Sequence, residues 1–121
     1  MKRYVVLIAY RPGEWEAATP EEREQYFAAH HAFERHVDEH GRRLHSGALC
    51  DADTATTLRP GDGASRVVTD GPFVELTEQV GGYYDVELPD LDTAIAAGRL
   101  LPEAYTVEIR PVATIEGYES V

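Results

Sequence analysis

Residues Arg3 to Tyr10 alternate like a β-strand, and both faces of that strand are apolar. Tyr4, Val6, Ile8 and Tyr10 fall on one side, Val5, Leu7 and Ala9 on the other. A strand apolar on both faces must be covered on both. One layer of helices covers a single face, so the other needs a second cover. A second copy of the chain is the economical answer.

The next strong signal is a helix start. Thr19 is placed as N-cap, Pro20 stands at the first helical position, and Glu22 completes a capping box. The helix is predicted to run to about His40, with Gly41 suited to the C′ position. Tyr26, His30, Phe33 and Val37 form one stripe at helical spacing, which turns His30 inward. His31, Arg35 and Asp38 lie off that stripe. Between the strand and this helix, Arg11 to Ala18 is expected to be a loop carrying Trp15.

Arg42 to Leu49 is predicted as a second strand of weak alternation, Leu44, Ser46 and Ala48 against Arg43, His45, Gly47 and Leu49. Ala55–Arg59 and Ser65–Thr69 flank a Pro60-Gly61-Asp62-Gly63 turn and predict a hairpin. Val67 to Tyr84 holds the densest punctuation: Asp70-Gly71-Pro72 bends the chain, and Gly81-Gly82 leads into a strand ending at Leu88. Asp90 is the expected N-cap of a second helix bearing Leu91, Ala94, Ile95 and Leu101. Tyr105 to Val112 is the last strand, and Ala113 to Val121 a tail. Strand, helix, strand, hairpin, strand, helix, strand is the ferredoxin-like βαββαβ order with an inserted β-hairpin.

These residues carry a resemblance. Asp70-Gly71-Pro72-Phe73, Glu75, Glu78-Gln79, Gly81-Gly82-Tyr83-Tyr84, Pro89-Asp90-Leu91-Asp92 and Val107 to Val112 resemble the DGPF-type branch of the YCII-related family over nearly the whole chain. The resemblance implies a ferredoxin-like α+β fold paired as a dimeric α+β barrel. It implies less about activity: a few relatives are lyase-like, and some DGPF domains accompany extracytoplasmic-function sigma factors. His30 falls where several YCII relatives carry a histidine with a catalytic role, although other members of the branch often have Tyr there. Thr77 stands where Lys is common, so a role needing that ammonium is absent.

A chain of 121 residues forms one domain, residues 1–121, with a sizeable core. Its net charge of −11 argues against nucleic acid and against anionic membrane surfaces. Val5 to Ala9 is too short for a signal-peptide core, and no segment approaches transmembrane length. A cytoplasmic location is expected. The single cysteine, Cys50, excludes an internal disulfide and is read as a small hydrophobe in or at the edge of the interior.

Candidate chemistry centres on His30, which titrates near neutrality. Asp70, on a rigid turn, is its candidate carboxylate, with Glu75 and Asp85 as alternatives; such an acid equally suits an Asx-type turn. Tyr10, Trp15, Tyr26 and Phe33 are the candidate substrate-binding walls. Asp85 and Glu87 are expected to face the barrel interior of a dimer or solvent, and Glu108 and Arg110, on one strand face, are available to pair with them across the sheet. His36 and His40 are one helical turn apart, but a metal needs a third ligand such as His45 or Asp51, and no metal site is expected. No phosphate loop, dinucleotide fingerprint or nucleophile elbow occurs, so no cofactor is expected.

Two functions fit. One is a small cofactor-independent enzyme of lyase, isomerase or elimination type, in which His30 moves protons on an aromatic or carbonyl-containing molecule. The other is a non-catalytic ligand-binding or regulatory module, linked to sigma-factor transcription control. Both take a small-molecule ligand and a homodimer.

Overall fold

The computed structural model of the chain describes residues 1–63 and 65–118. Strand β1 (Lys2–Tyr10) is followed by a one-turn helix α1 (Glu14–Ala17) and the long helix α2 (Pro20–His40). Strand β2 (Arg42–Ala48), a 3-10 turn (Ala52–Thr54), and strands β3 (Thr56–Pro60) and β4 (Arg66–Asp70) come next. Strand β5 (Gln79–Leu88), helix α3 (Leu91–Gly98) and strand β6 (Thr106–Pro111) complete the order. Four strands form one antiparallel sheet in the order β2-β5-β1-β6, and β3 and β4 form a separate hairpin. This is the ferredoxin-like α+β arrangement with an inserted hairpin.

Helices α2 and α3 cover one face of the sheet. The capping box of α2 is complete: Thr19 Oγ1 accepts from the Glu22 N–H at 3.1 Å, and Glu22 Oε1 accepts from the Thr19 N–H at 3.1 Å. Asp90 caps α3 by accepting from the Thr93 N–H at 2.8 Å. Phe33 and Val37 of α2 are fully enclosed against Tyr4, Val6, Ile8, Tyr84, Val86 and Leu88. Each such side chain stabilises the fold by about 1.5–3 kcal/mol.

Four local readings need correction. The segment carrying Trp15 is helical over Glu14–Ala17, because Arg23 holds its end through the Trp15 carbonyl at 2.8 Å. Gly41 ends α2 in an extended conformation, not a left-handed one, and its missing side chain matters because a Cβ there would overlap the Glu87 carbonyl. Strand β5 begins at Gln79, three residues early, because a bulge opposite Ile8/Ala9 absorbs Gly81. A second bulge between Arg43 and His45 puts Arg43 opposite Val86 and His45 opposite Asp85, so the two lie on opposite faces despite their spacing.

Among the described residues no helix covers the opposite face of the sheet. Leu7, Ala9 and Val80 there meet Phe73, Val74 and Leu76 from the segment after the hairpin, around a groove of about 820 Å³. Cys50 lies on this groove and is exposed, because β2 ends at Ala48 and the chain crosses the open face rather than the core. The expected cross-sheet ion pairs are redistributed. Asp85 binds Arg3 at 2.9 Å, Glu87 binds Arg42, and Glu108 binds Arg110 on its own strand at 2.7 Å. Of the expected hairpin turn, Ala64 lies outside the described residues, as do residues 119–121 of the tail.

Candidate functional site

The stripe that buries Phe33 and Val37 carries His30, one turn earlier, to the end of the sheet where β5 and β6 flank β1. There the half-buried His30 ring meets two phenols. Nδ1 lies 2.9 Å from the Tyr84 hydroxyl and Nε2 lies 2.9 Å from the Tyr105 hydroxyl. The Tyr84 hydroxyl also lies 2.8 Å from Glu34 Oε2. Glu34 follows His30 by four residues, so helix geometry puts both on one face.

The polarity of these bonds fixes the tautomer. An ionised carboxylate only accepts, so Tyr84 donates its single proton to Glu34. The Tyr84 oxygen then accepts from His30 Nδ1–H. In the neutral ring Nε2 keeps its lone pair, and the Tyr105 hydroxyl donates to it. Arg43 anchors the far end of the chain, 3.4 Å from Glu34 and 3.0 Å from Asp38. It reaches the helix because the bulge in β2 turns it to the covered face.

The surroundings hold the imidazole and the two phenols in defined states. Burial pushes the His30 imidazole below its ordinary value; Glu34 pulls it upward by less, and His31 lowers it further. Tyr84 is pushed up, by burial first and then by its hydrogen bond to Glu34 and the charge of that group. Tyr105 is pushed up to about 12, by burial first and then by Tyr10, Tyr26 and Glu14. At neutral pH the site therefore holds a neutral imidazole between two protonated phenols.

His30, Tyr84 and Tyr105 line a cavity of about 210 Å³ with Tyr10, Ser46 and Gly81. A second depression, of about 330 Å³, shares Tyr10 and Tyr105 and is walled by Trp15 and Tyr26. Tyr105 stacks on Tyr10 at 5.4 Å and on Tyr26 at 6.0 Å between ring centroids. The Arg23 guanidinium sits 4.7 Å over the Trp15 ring and holds it against this wall. Gly81 makes the cavity possible: a Cβ at that position would overlap the Tyr10 phenol.

The structure thus brings His30, Tyr10, Trp15 and Tyr26 together. Phe33 is not with them; it is fully buried in the core, its ring 4.5 Å from that of Tyr84. Asp70 also stands apart, exposed at the end of β4 opposite Thr56, beside a different depression lined by Pro12 and Asp53. Both His30 nitrogens are taken by tyrosines, and the carboxylate behind them is Glu34. Sequence reasoning passed over Glu34, Tyr84 and Tyr105. The i, i+4 relation of His30 and Glu34 was the available signal for the first. Tyr84 and Tyr105 were visible only as core-facing strand residues.

These features define an α+β ferredoxin-like domain with a histidine–tyrosine cavity at one end of its sheet. The YCII-related domain matches residues 2–116, and the chain belongs to that family. It is 32% identical over 114 residues to an uncharacterized protein of Rhizobium meliloti (strain 1021), with 91% of each chain covered. Among the described residues no helix is long and apolar enough to cross a membrane.

Proposed function

We propose that this protein is a small enzyme that moves protons on an aromatic or carbonyl-containing molecule, by a lyase, isomerase or elimination reaction. The supporting observation is His30, held in one tautomer between Tyr84 and Tyr105 on the wall of a cavity. In the first step a substrate C–H proton passes to the Tyr105 oxygen while the Tyr105 proton passes to His30 Nε2. The products are a neutral phenol, an imidazolium and a substrate carbanion or enolate. The imidazolium charge faces Tyr84 and the Glu34 carboxylate behind it. Tyr10, whose phenol is kept protonated by burial and by Asp51 and Glu16, supplies a donor for the developing oxyanion. Reversal of the relay returns the proton to another carbon or to a leaving group.

The enzyme belongs, in this reading, to the DGPF-type branch, with Gly71 at a φ of +90° in the Asp70-Gly71-Pro72-Phe73 turn. It works in the cytoplasm as a homodimer whose second copy covers the open sheet face, completing a dimeric α+β barrel. Its partners are the substrate and its own copy, not nucleic acid or membrane.

The test is deuterium exchange, followed by NMR in D2O, at C–H groups next to the carbonyl in a panel of small keto and aromatic acids. The wild type is expected to exchange at least one compound, His30→Gln none, and Tyr105→Phe far more slowly. Saturable binding without exchange would instead assign a ligand-binding or regulatory module.

A further inference from the structure

We infer that the last turn of α2 is a transition-metal site, with His36, Glu39 and His40 as its ligands. One nitrogen or oxygen from each of these side chains lies within 4.8 Å of the others. The two imidazole rings are 4.3 Å apart between centroids. They stand one helical turn apart, so they project from the same face. Glu39, which the sequence reading passed over in favour of His45 and Asp51, joins them as the third group. His45 is engaged elsewhere, its Nδ1 2.8 Å from the Tyr83 hydroxyl.

Three further observations point to an ion. His40 Nδ1 lies 2.9 Å from the His36 carbonyl, which can only accept, so this nitrogen carries the proton. That leaves the lone pair on Nε2, the usual arrangement of a metal-binding histidine whose other N–H is held by a backbone carbonyl. His36 Nε2 is shut off from solvent and has no hydrogen-bond partner among the described residues. An orphaned nitrogen of this kind is costly, and a bound cation gives it one. The turn also closes α2, where the helix dipole is negative, in a chain of net charge −11. Arg43 is drawn off to Asp38 and Glu34, and Arg42 to Glu87.

The donor set chooses the ion. Two imidazoles and a carboxylate suit zinc, cobalt, nickel or copper, whereas magnesium and calcium prefer oxygen ligands throughout. Bond lengths of about 2.0–2.2 Å require the ligand atoms to close in from their present separation. Glu39 is exposed, so its carboxylate has room to swing in toward the two imidazoles. The site lies about 9 Å along the helix axis from His30. None of its residues lines the His30 cavity, so the inference stands apart from the proposed reaction.

The test uses the full chain, freed of metal by chelation and titrated with zinc by calorimetry, then with cobalt by visible absorption. One zinc per chain at micromolar affinity or tighter is expected, with a cobalt d–d band and no response to magnesium. His40→Ala and Glu39→Gln, both at exposed positions, are expected to weaken zinc binding by about 10- to 100-fold. His31→Ala and His45→Ala should leave it unchanged. No saturable zinc binding would overturn the inference, as would binding that His40→Ala leaves intact or that His31→Ala weakens equally.

Discussion

The Tyr84 hydroxyl lies 2.9 Å from His30 Nδ1 and gives its only proton to Glu34. The histidine is therefore the donor in this pair, and its other nitrogen is the one left basic. Tyr84→Phe removes both bonds with little change in shape. It leaves a half-buried N–H and a carboxylate without their partner, at a cost of about 1–3 kcal/mol. Urea denaturation should show that loss with an unchanged slope. Imidazole nitrogen shifts should show the Nδ1–H tautomer in the wild type and a mixture in the variant. An Nε2–H tautomer in the wild type would reverse the direction assigned to the relay.

The pH dependence of stability follows from the same burial. The folded-state value of His30 lies below its ordinary 6.5. Above that value the ring is neutral in both states and stability is at its full level. As pH falls through it toward the folded-state value, the unfolded chain takes up a proton first and stability declines. Below the folded-state value the loss levels off. Urea midpoints measured between about pH 7.5 and about pH 5 should fall more for the wild type than for His30→Gln. Parallel curves would show that His30 does not titrate as its burial requires.

The enzyme reading makes the same group visible in kinetics. Exchange or turnover requires the neutral imidazole, so kcat/KM should fall on the acid side with an apparent value below 6.5. Tyr105→Phe is expected to lower the rate by about 10²–10⁴-fold, the usual range for a lost proton-transfer group. An acid limb that persists unchanged in His30→Gln would assign the titration to another residue.

Gly81 and Tyr10 form a second coupled pair. A Cβ at Gly81 would overlap the Tyr10 hydroxyl and the ring carbons beside it. Gly81→Ala must therefore push the ring off its stacking partner Tyr105, and a cost of about 1–3 kcal/mol is expected. Tyr10→Ala removes the obstacle, so the double variant should be less damaged than the sum of the two. Strict additivity in a double-mutant cycle would mean that the ring has room to move.

The fold was legible because its signals are local. Thr19, Pro20 and Glu22 mark a helix start from within four residues, and the alternation of β1 and β5 needs only period two. The site was half legible for the same reason. His30 announced itself as a polar group on an apolar stripe, and Tyr10, Trp15 and Tyr26 as aromatics near it. Its partners were not, because Tyr84 and Tyr105 come to His30 through sheet register, across 54 and 75 residues of chain. Asp70 drew attention through turn chemistry that shapes a hairpin exit, and turn chemistry says nothing about distance from a helix. The reversal of Arg43 in β2 depends on one bulged residue, Leu44, which no periodic reading contains.

The open sheet face gives the last prediction. Phe73 is 73% exposed and Leu76 63%, and both stand beside Leu7, Ala9 and Val80 rather than scattered over the surface. A contiguous apolar face of this kind is uncommon on a monomer and marks an interaction site. The same face carries β1 side chains whose apolarity the covering helices leave unexplained, since α2 and α3 lie on the other side. In the proposed homodimer a second copy of the chain would supply the same apolar surface and close both grooves together. Light scattering at micromolar concentration should therefore give twice the monomer mass. Val80→Glu puts a charge on the open face, opposite Ala9 near the end of β1, where it would be buried without a partner in the dimer. The variant is expected to run as a folded monomer with native circular dichroism. A wild type that is monomeric at that concentration would leave the face to some other cover, and a dimeric Val80→Glu would place the interface elsewhere.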